Sequence, residues 1–399
     1  MRLAFPSLGA ALGTLVLSTG FHCGAPSSLT GQAPPDKERA FSRIDSLVER
    51  FIDRRAFPGA AVAIGHRETL HKLTGYGTYI YESDQAVTTQ SVFDVASLTK
   101  VIATTTAAML LYEQDLLDLD ATVRSYLPEF DSPEKASITI RHLLTHTAGF
   151  TPFRTFYLDG IVTREAVINE IFTIPLERRP GQRYRYSDFG MIVLVLAIEK
   201  ITGQDFATYA RENIFEPLGM TATGFREAGT PDPDVVPTEL DDYFRNRLVQ
   251  GEVHDENAWI LGGTAGHAGL FSSAEDVARF AAMMARGGRY PGGLFLSPET
   301  VEYFTTVVDA DFSSRALGWD TKSTDDPPSS AGEHFGARSF GHTGFTGTSM
   351  WIDPDTGVYA ILLTNRVYPT RESRGVGELR PMVADLAYEA LVGGVGTFR

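Results

Sequence analysis

Phe93-Asp-Val-Ala-Ser-Leu-Thr-Lys100 is the stretch on which the reading of this chain turns. It ends a polar run, Thr88 to Ser91, and leads into an uncharged segment, Val101 to Tyr112, long enough for about three turns of buried helix. Ser97 and Lys100 are three residues apart at the start of that helix, which stacks their side chains on one face. A serine hydroxyl is a poor nucleophile at neutral pH unless a neighbour takes its proton. A lysine does so when burial lowers its pKa. The helix N-terminus adds free N–H groups suited to a developing oxyanion. A serine at a helix start also serves as a plain N-cap, so catalysis at Ser97 needs partners elsewhere in the chain.

Composition bounds those partners. The 399 residues suffice for two or more packed layers. The formal net charge of −15 argues against nucleic acid or an anionic membrane as partner, because both need a basic face. Only 6 of the 35 basic residues are lysines, so Lys100 in an apolar helix stands out. The single cysteine, Cys23, excludes an internal disulfide and a cysteine-based zinc site. It follows Met1-Arg2 and the uncharged run Leu3 to Phe21, which reads as a signal peptide over 1–25, with a linker over 26–36. The chain is therefore expected to be exported to the periplasm or cell envelope. Cys23 offers a lipidation site for membrane attachment, although His22 stands where a lipoprotein signal wants a small residue.

Helix periodicity runs over Lys37 to Arg54; Ala60 to Gly65 and Thr69 to Tyr76 read as a β-hairpin. The middle of the chain carries helical patterns at 138–146, 164–174, 189–201, 206–214, 274–286 and 297–304. Asp232 to Asn257 and Asp320 to Ala337 read as polar loops. Three strands follow, over 338–342, 347–352 and 358–365, and a closing helix over 381–392. The pattern predicts an α/β (α+β) fold, one antiparallel sheet flanked by N- and C-terminal helices with an all-helical insertion. Residues 37–95 and 300–399 would form the sheet domain and 96–299 the mainly helical one, with the active site at the junction.

Two further stretches supply partners. Tyr186-Ser187-Asp188 precedes an apolar helix, where a tyrosine held by cations can pass protons. Gly341-His342-Thr343-Gly344 ends a strand, where a glycine allows close approach of substrate and edge N–H groups can complete an oxyanion hole. Ser-x-x-Lys, Tyr-x-Asp and His-Thr-Gly in this order resemble the serine β-lactamase and penicillin-binding protein superfamily. The match is to its class C-like branch, which includes D-alanyl-D-alanine carboxypeptidases and esterases. Pro58-Gly-Ala-Ala-Val, His142-Leu-Leu-Thr-His-Thr-Ala-Gly149, Gly266-His-Ala-Gly-Leu-Phe-Ser-Ser273 and Gly344-Phe-Thr-Gly-Thr-Ser-Met-Trp351 fit the same branch.

The resemblance implies a β-lactamase/DD-peptidase-like fold. Ser97 would be acylated, Lys100 and Tyr186 would share base and acid duties, and the N–H groups of Ser97 and Phe345 would form the oxyanion hole. Asp188, His342, Thr343, Gly344 and Arg366 would bind substrate, with no cofactor and no metal. Two positions depart from the pattern. His342 replaces a lysine that attracts a substrate carboxylate, which weakens the case for an efficient β-lactamase. Asp188 replaces an asparagine and can pair with Lys100, raising its pKa and leaving more of the base role to Tyr186. Arg366, Arg371 or Arg374 can supply the missing carboxylate anchor.

A metal hydrolase centred on His254, Asp255 and His267 is a competing reading that meets no ligand-spacing rule; the loop around His254 to Asn257 reads instead as a lining of the site mouth. His142 and His146 have zinc-protease spacing, but Leu143 stands where the glutamate belongs, so both read as structural. The resulting expectation is an exported serine hydrolase acting on a peptide, ester or lactam carbonyl. Peptidoglycan D-Ala-D-Ala peptides are the favoured substrate. A carboxylesterase and a penicillin-binding sensor without turnover are the alternatives.

Overall fold

Both ends of the chain meet in one sheet. The computed structural model describes residues 35–323 and 329–393, so the signal peptide, the linker and Cys23 lie outside the described residues. Six antiparallel strands are ordered Asp320–Thr321, Phe340–Thr343, Ser349–Ile352, Val358–Thr364, Gly59–His66 and Thr69–Gly77. Gly59–His66 pairs on one side with its hairpin partner and on the other with Val358–Thr364, with Ala60 opposite Thr364 and His66 opposite Val358. A strand central to a sheet and covered on both faces must be apolar on both, and this one is buried along nearly its whole length.

Its alternating side chains enter two cores. Ala60, Val62 and Ile64 pack with Ile44, Leu47, Leu379 and Val383 from the terminal helices Pro35–Asp53 and Val376–Val392. Ala61 and Ala63 join the larger core with Val277, Phe280 and Ala281 of the helix Ala274–Ala285. Small residues are required on this strand. A Cβ on Gly65 would lie 2.1 Å from the Tyr359 ring. Truncating Leu47 or Leu379 would open a cavity costing roughly 2–5 kcal/mol.

The middle of the chain holds the expected helices, including Arg164–Thr173, Asp188–Thr202 and Pro298–Thr305, and also short strands that the pattern did not show. Val92–Asp94, Leu270–Ser273 and Gly224–Phe225 form a three-stranded sheet. Strands this short display no usable alternation. The stretch expected as loop over 232–257 contains the pair Leu240–Asp241 and Arg247–Leu248 and enters a helix at Glu256. The polar stretch from Asp320 begins with the sheet's edge strand. The closing helix starts at Val376 rather than Pro381: Gly375 turns the chain at φ 116°, and Glu378 N–H and Leu379 N–H both bond its carbonyl. Among the described residues no helix is long and apolar enough to cross a membrane.

Candidate active site

The nucleophile segment is tied down on three sides. Asp94 accepts from Ala96 N–H at 2.8 Å through one oxygen and from His254 N–H at 2.7 Å through the other. Thr346 Oγ1 donates to Asp94 O at 2.8 Å, and Thr348 Oγ1 donates to Val95 O at 3.0 Å. Thr99 Oγ1 donates to Ala96 O and accepts from Leu270 N–H. Ala96 is held at φ 47°, a left-handed conformation unusual for a side chain larger than glycine, and it turns the chain from strand into helix just before Ser97.

Lys100 begins a π-helical stretch, Lys100–Thr105, continued by the α-helix Thr106–Glu113. Wide turns of this kind recur at functional sites. Lys100 is 0% exposed. Its Nζ reaches Ser97 Oγ at 2.9 Å, His267 O at 3.0 Å and Asp188 Oδ1 at 2.8 Å. Three acceptors match the three protons of an ammonium. Burial pushes the lysine pKa down, but the Asp188 carboxylate and the Tyr186 oxygen outweigh it and the net shift is upward. The sequence-predicted pairing of Asp188 with Lys100 is thus present in the geometry.

Tyr186 Oη lies 3.2 Å from Ser97 Oγ. The loop that carries it is fixed by His146, whose Nδ1 accepts from Ser187 N–H and whose carbonyl accepts from Arg185 N–H. The His146 ring packs 4.6 Å from the tyrosine ring. Burial, together with Arg315 and Lys100, holds His146 neutral, well below the usual histidine range. His142 Nδ1 accepts from Thr139 N–H in a capping box. Ser187 caps the helix Asp188–Thr202, and Asp188 N–H bonds Pro152 O. Two cations flank the phenol: Lys100 Nζ is 5.0 Å and the Arg315 guanidinium 5.3 Å from the ring centre.

The N–H groups of Ser97 and Phe345 have no acceptor among the described residues. Gly344, between strand and turn, is required by packing: a Cβ there would lie 2.0 Å from Thr348 Oγ1 and 2.7 Å from Val95 O. The close approach it permits is therefore that of the nucleophile segment. His342 Nδ1 donates to Thr343 O at 2.7 Å, and its Nε2 is buried without a partner. Burial, Arg315 and Lys100 push its pKa well down, so it is a neutral imidazole with a free lone pair. It does not replace the charge of a lysine.

Cavities open on two sides of Ser97. One, of about 660 Å³, is lined by His342, Thr343, Gly344, Phe345, Arg315, Arg366, Arg374 and Arg380, with no acidic residue among its walls. Arg366 hydrogen-bonds the carbonyls of Phe345, Arg371 and Ser373. Arg315 Nη1 and Arg380 Nε are buried without partners. Burial and the neighbouring Arg366 pull Arg380 down to about 10, which leaves it cationic at neutral pH. The other cavity, of about 330 Å³, is lined by Asp94, Tyr186, Asp188, His254, Asp255, Glu256, His267, Phe153, Phe345 and Arg371.

Arg371 does not join the basic cavity. It pairs with Glu239 and Glu256, each at 2.7 Å, and both also accept from Tyr243 Oη. His254 Nε2 binds Glu239 at 2.8 Å, which raises the histidine pKa against the effect of burial. The three residues weighed as a metal site are therefore split: His254 faces Glu239, whereas His267 Nε2 donates to Asp255 at 2.9 Å. Asp188, Asp255 and His267 do bring ligand-capable atoms within 4.8 Å of one another. The Lys100 ammonium beside Asp188 opposes a dication there.

Arg315, Arg380, Glu239 and Glu256 were not singled out from the sequence. Arg315 sits in an irregular stretch without a pattern. Arg380 carried a readable signal, a lone arginine between the buried Leu379 and Val383 of an amphipathic helix. Glu239 and Glu256 lie in the polar stretch whose fold was not legible.

Comparison with known proteins fits this geometry. A family model described as Beta-lactamase matches residues 44–380. A protein of Escherichia coli K12 described as "Putative D-alanyl-D-alanine carboxypeptidase" is 33% identical over 73% of this chain and 72% of its own length. The "N-acetylmuramyl-L-alanine amidase" of Bacillus subtilis is 30% identical over 86% of this chain and 84% of its own. The solved structure of EstCE1, titled a hydrolase with promiscuous acyltransferase activity, superposes with a TM-score of 0.71 at 23% identity, covering 88% of this chain and 99% of that one. The octameric penicillin-binding protein homologue from Pyrococcus abyssi superposes with a TM-score of 0.65 at 22% identity, covering 88% and 76%. The chain belongs to the β-lactamase family, as a serine hydrolase with carboxypeptidase-named relatives.

Proposed function

We propose that the protein hydrolyses an amide bond in peptidoglycan-derived material through an acyl-enzyme on Ser97, and that the group expelled carries a carboxylate. The observation that carries this is the arrangement of Lys100 and Tyr186 at 2.9 and 3.2 Å from Ser97 Oγ, beside a cavity walled by four arginines without acidic residues. Lys100, an ammonium with three acceptors, orients Ser97 and stabilises negative charge rather than taking the first proton. Tyr186 is the acceptor, and the two cations over its ring stabilise the charge it carries in that role. The serine proton passes through Tyr186 to the leaving nitrogen. The oxyanion rests on the N–H groups of Ser97 and Phe345. Water then attacks the ester by the reverse path.

Arg315, Arg366, Arg374 and Arg380 hold the leaving carboxylate. The arginine wall favours an anionic leaving group over a simple carboxylic ester, and the neutral His342 speaks against efficient β-lactam turnover. Two bonds meet this description, D-Ala–D-Ala and N-acetylmuramyl–L-Ala, and each is named by a relative. The acidic cavity favours the second. The N-terminal run to Cys23 supports placement in the cell envelope, where such material lies.

The test is labelling of purified protein with a fluorescent penicillin, with Ser97→Ala as control, followed by mass spectrometry. Release of D-Ala from a D-Ala-D-Ala tripeptide and of L-Ala from N-acetylmuramyl-L-alanine is assayed alongside. A Ser97-dependent release of either amino acid is expected. A persistent penicillin adduct with no release from either substrate would favour the sensor reading. Ester hydrolysis alone would favour the esterase reading.

A further inference from the structure

The acidic cavity opens onto Ser97 and Tyr186, so whatever fills it lies against the reacting carbonyl. Its chemistry differs from that of a cation trap. Each lining carboxylate already has a partner: Asp188 has Lys100, Glu256 has Arg371, Asp255 has His267, and Asp94 accepts from the Ala96 and His254 N–H groups. What remains is hydrogen-bonding capacity. Asp255 Oδ2 and Glu256 Oε2 receive no donor among the described residues, and His267, 1% exposed, lines the cavity with Nδ1 unpartnered. Burial and the Asp255 charge push Glu256 up to about 7, which further reduces its pull on a cation.

The walls are aromatic. Phe345 is 49% exposed and Phe153 43% exposed, and both flank the cavity with Tyr186. Phe345 stacks on His254 at 5.6 Å, and Arg366 lies 4.6 Å over its ring, which fixes its plane. Half-exposed rings beside free acceptor atoms suit a ligand with an apolar face and donor groups around its edge. A pyranose has that form; an ammonium or an alkyl chain has only half of it.

We propose that this cavity is a sugar subsite. It takes the ring of a muramyl group whose amide carbonyl lies at Ser97, and the bond cleaved joins that group to an L-alanine whose carboxylate is free. Ser97 Oγ attacks the lactyl carbonyl carbon, the C–N bond breaks, and the hydroxyl proton reaches the alanine nitrogen through Tyr186. The alanine carboxylate faces the arginine wall. Water cleaves the resulting ester and returns the acid. The inference rests on the acyl-enzyme reading above.

The experiment compares kcat/KM for N-acetylmuramyl-L-alanine and for N-(D-lactoyl)-L-alanine, which has the same amide without the ring. The sugar-bearing amide is expected to be at least about a hundredfold better. Phe153→Ala, a change at the exposed rim that spares the fold, and Glu256→Gln should each cut that advantage tenfold or more. Equal kcat/KM for the two amides would overturn the sugar subsite. Cleavage of a D-Ala-D-Ala tripeptide but not of the muramyl amide would overturn it while leaving the acyl-enzyme reading intact. Should neither amide nor tripeptide be cleaved while p-nitrophenyl acetate is, the amide reading fails. Calorimetry of N-acetylmuramic acid on Ser97→Ala protein then decides the subsite: binding weakened by Phe153→Ala supports it, and no binding overturns it.

Discussion

The two cavities beside Ser97 share that residue and differ in how their charged groups are partnered. On the arginine side, Arg315 Nη1 and Arg380 Nε are buried without hydrogen-bond partners and no wall is acidic, while Arg315 itself pairs with Asp320, outside the cavity lining, at 3.4 Å. On the carboxylate side Asp188, Asp255 and Glu256 have side-chain partners in Lys100, His267 and Arg371, Asp94 is held by backbone N–H groups, and lone pairs are left over. Buried guanidinium N–H groups without acceptors suit an anion in the substrate, whereas partnered carboxylates with free lone pairs suit neutral donors. On the proposed reading the contrast orients the substrate across Ser97, anion on one side and neutral ring on the other.

Removing what the two sides share gives the largest effect. Ser97→Ala should lower kcat by at least about 10⁴-fold for every substrate. A residual rate above that level, read by product release, would take the nucleophile away from both cavities. Next comes the pair that sits between them. Asp188→Ala leaves a fully buried ammonium uncompensated, and denaturant unfolding should show a loss of about 3–5 kcal/mol. A loss under about 1 kcal/mol would mean that water enters to solvate Lys100.

The acidic side has a pH signature. Glu256 sits near pKa 7 in the folded chain and near 4.5 when unfolded. Between those values the folded protein holds more protons, so stability falls as pH rises through that window, by up to about 3 kcal/mol. Melting temperatures from pH 4.5 to 7 should decline in the wild type and stay flatter in Glu256→Gln; parallel curves would show that Glu256 ionises freely. The smallest expected effect is on the basic side. Arg380→Met should raise KM about tenfold for N-acetylmuramyl-L-alanine and leave its C-terminal amide less affected. Equal effects on both would remove the anion from that cavity.

Five of the sheet's six strands were legible because they are apolar and set between turn residues, and because both ends of the chain carried them; the two-residue edge strand Asp320–Thr321 was not. Ser97, Lys100 and Tyr186 were legible as motifs, and the structure brings all three within hydrogen-bond reach. The pairing of Asp188 with Lys100 followed from one substituted residue and the chemistry of a carboxylate. The two cavities were not legible. Their walls come from five or more separated segments, and paired charges such as Glu239 with Arg371 leave no periodic trace at a separation of 132 residues. Arg371 shows the cost of this: read as a possible carboxylate anchor, it binds the chain's own acids instead.

The sheet that supports the site also fixes when the site can exist. Gly59–His66 is made early, and its inner neighbour Val358–Thr364 almost 300 residues later. The turn that carries Phe345, and the Thr346 and Thr348 hydroxyls that clamp the Ser97 segment, arrive with that late neighbour. A ribosome releasing this chain therefore holds Ser97 without Phe345 N–H, one of the two proposed oxyanion donors, seated beside it until the last tenth of synthesis. On the proposed mechanism the molecule is born silent, and its chemistry switches on with the closing of the sheet.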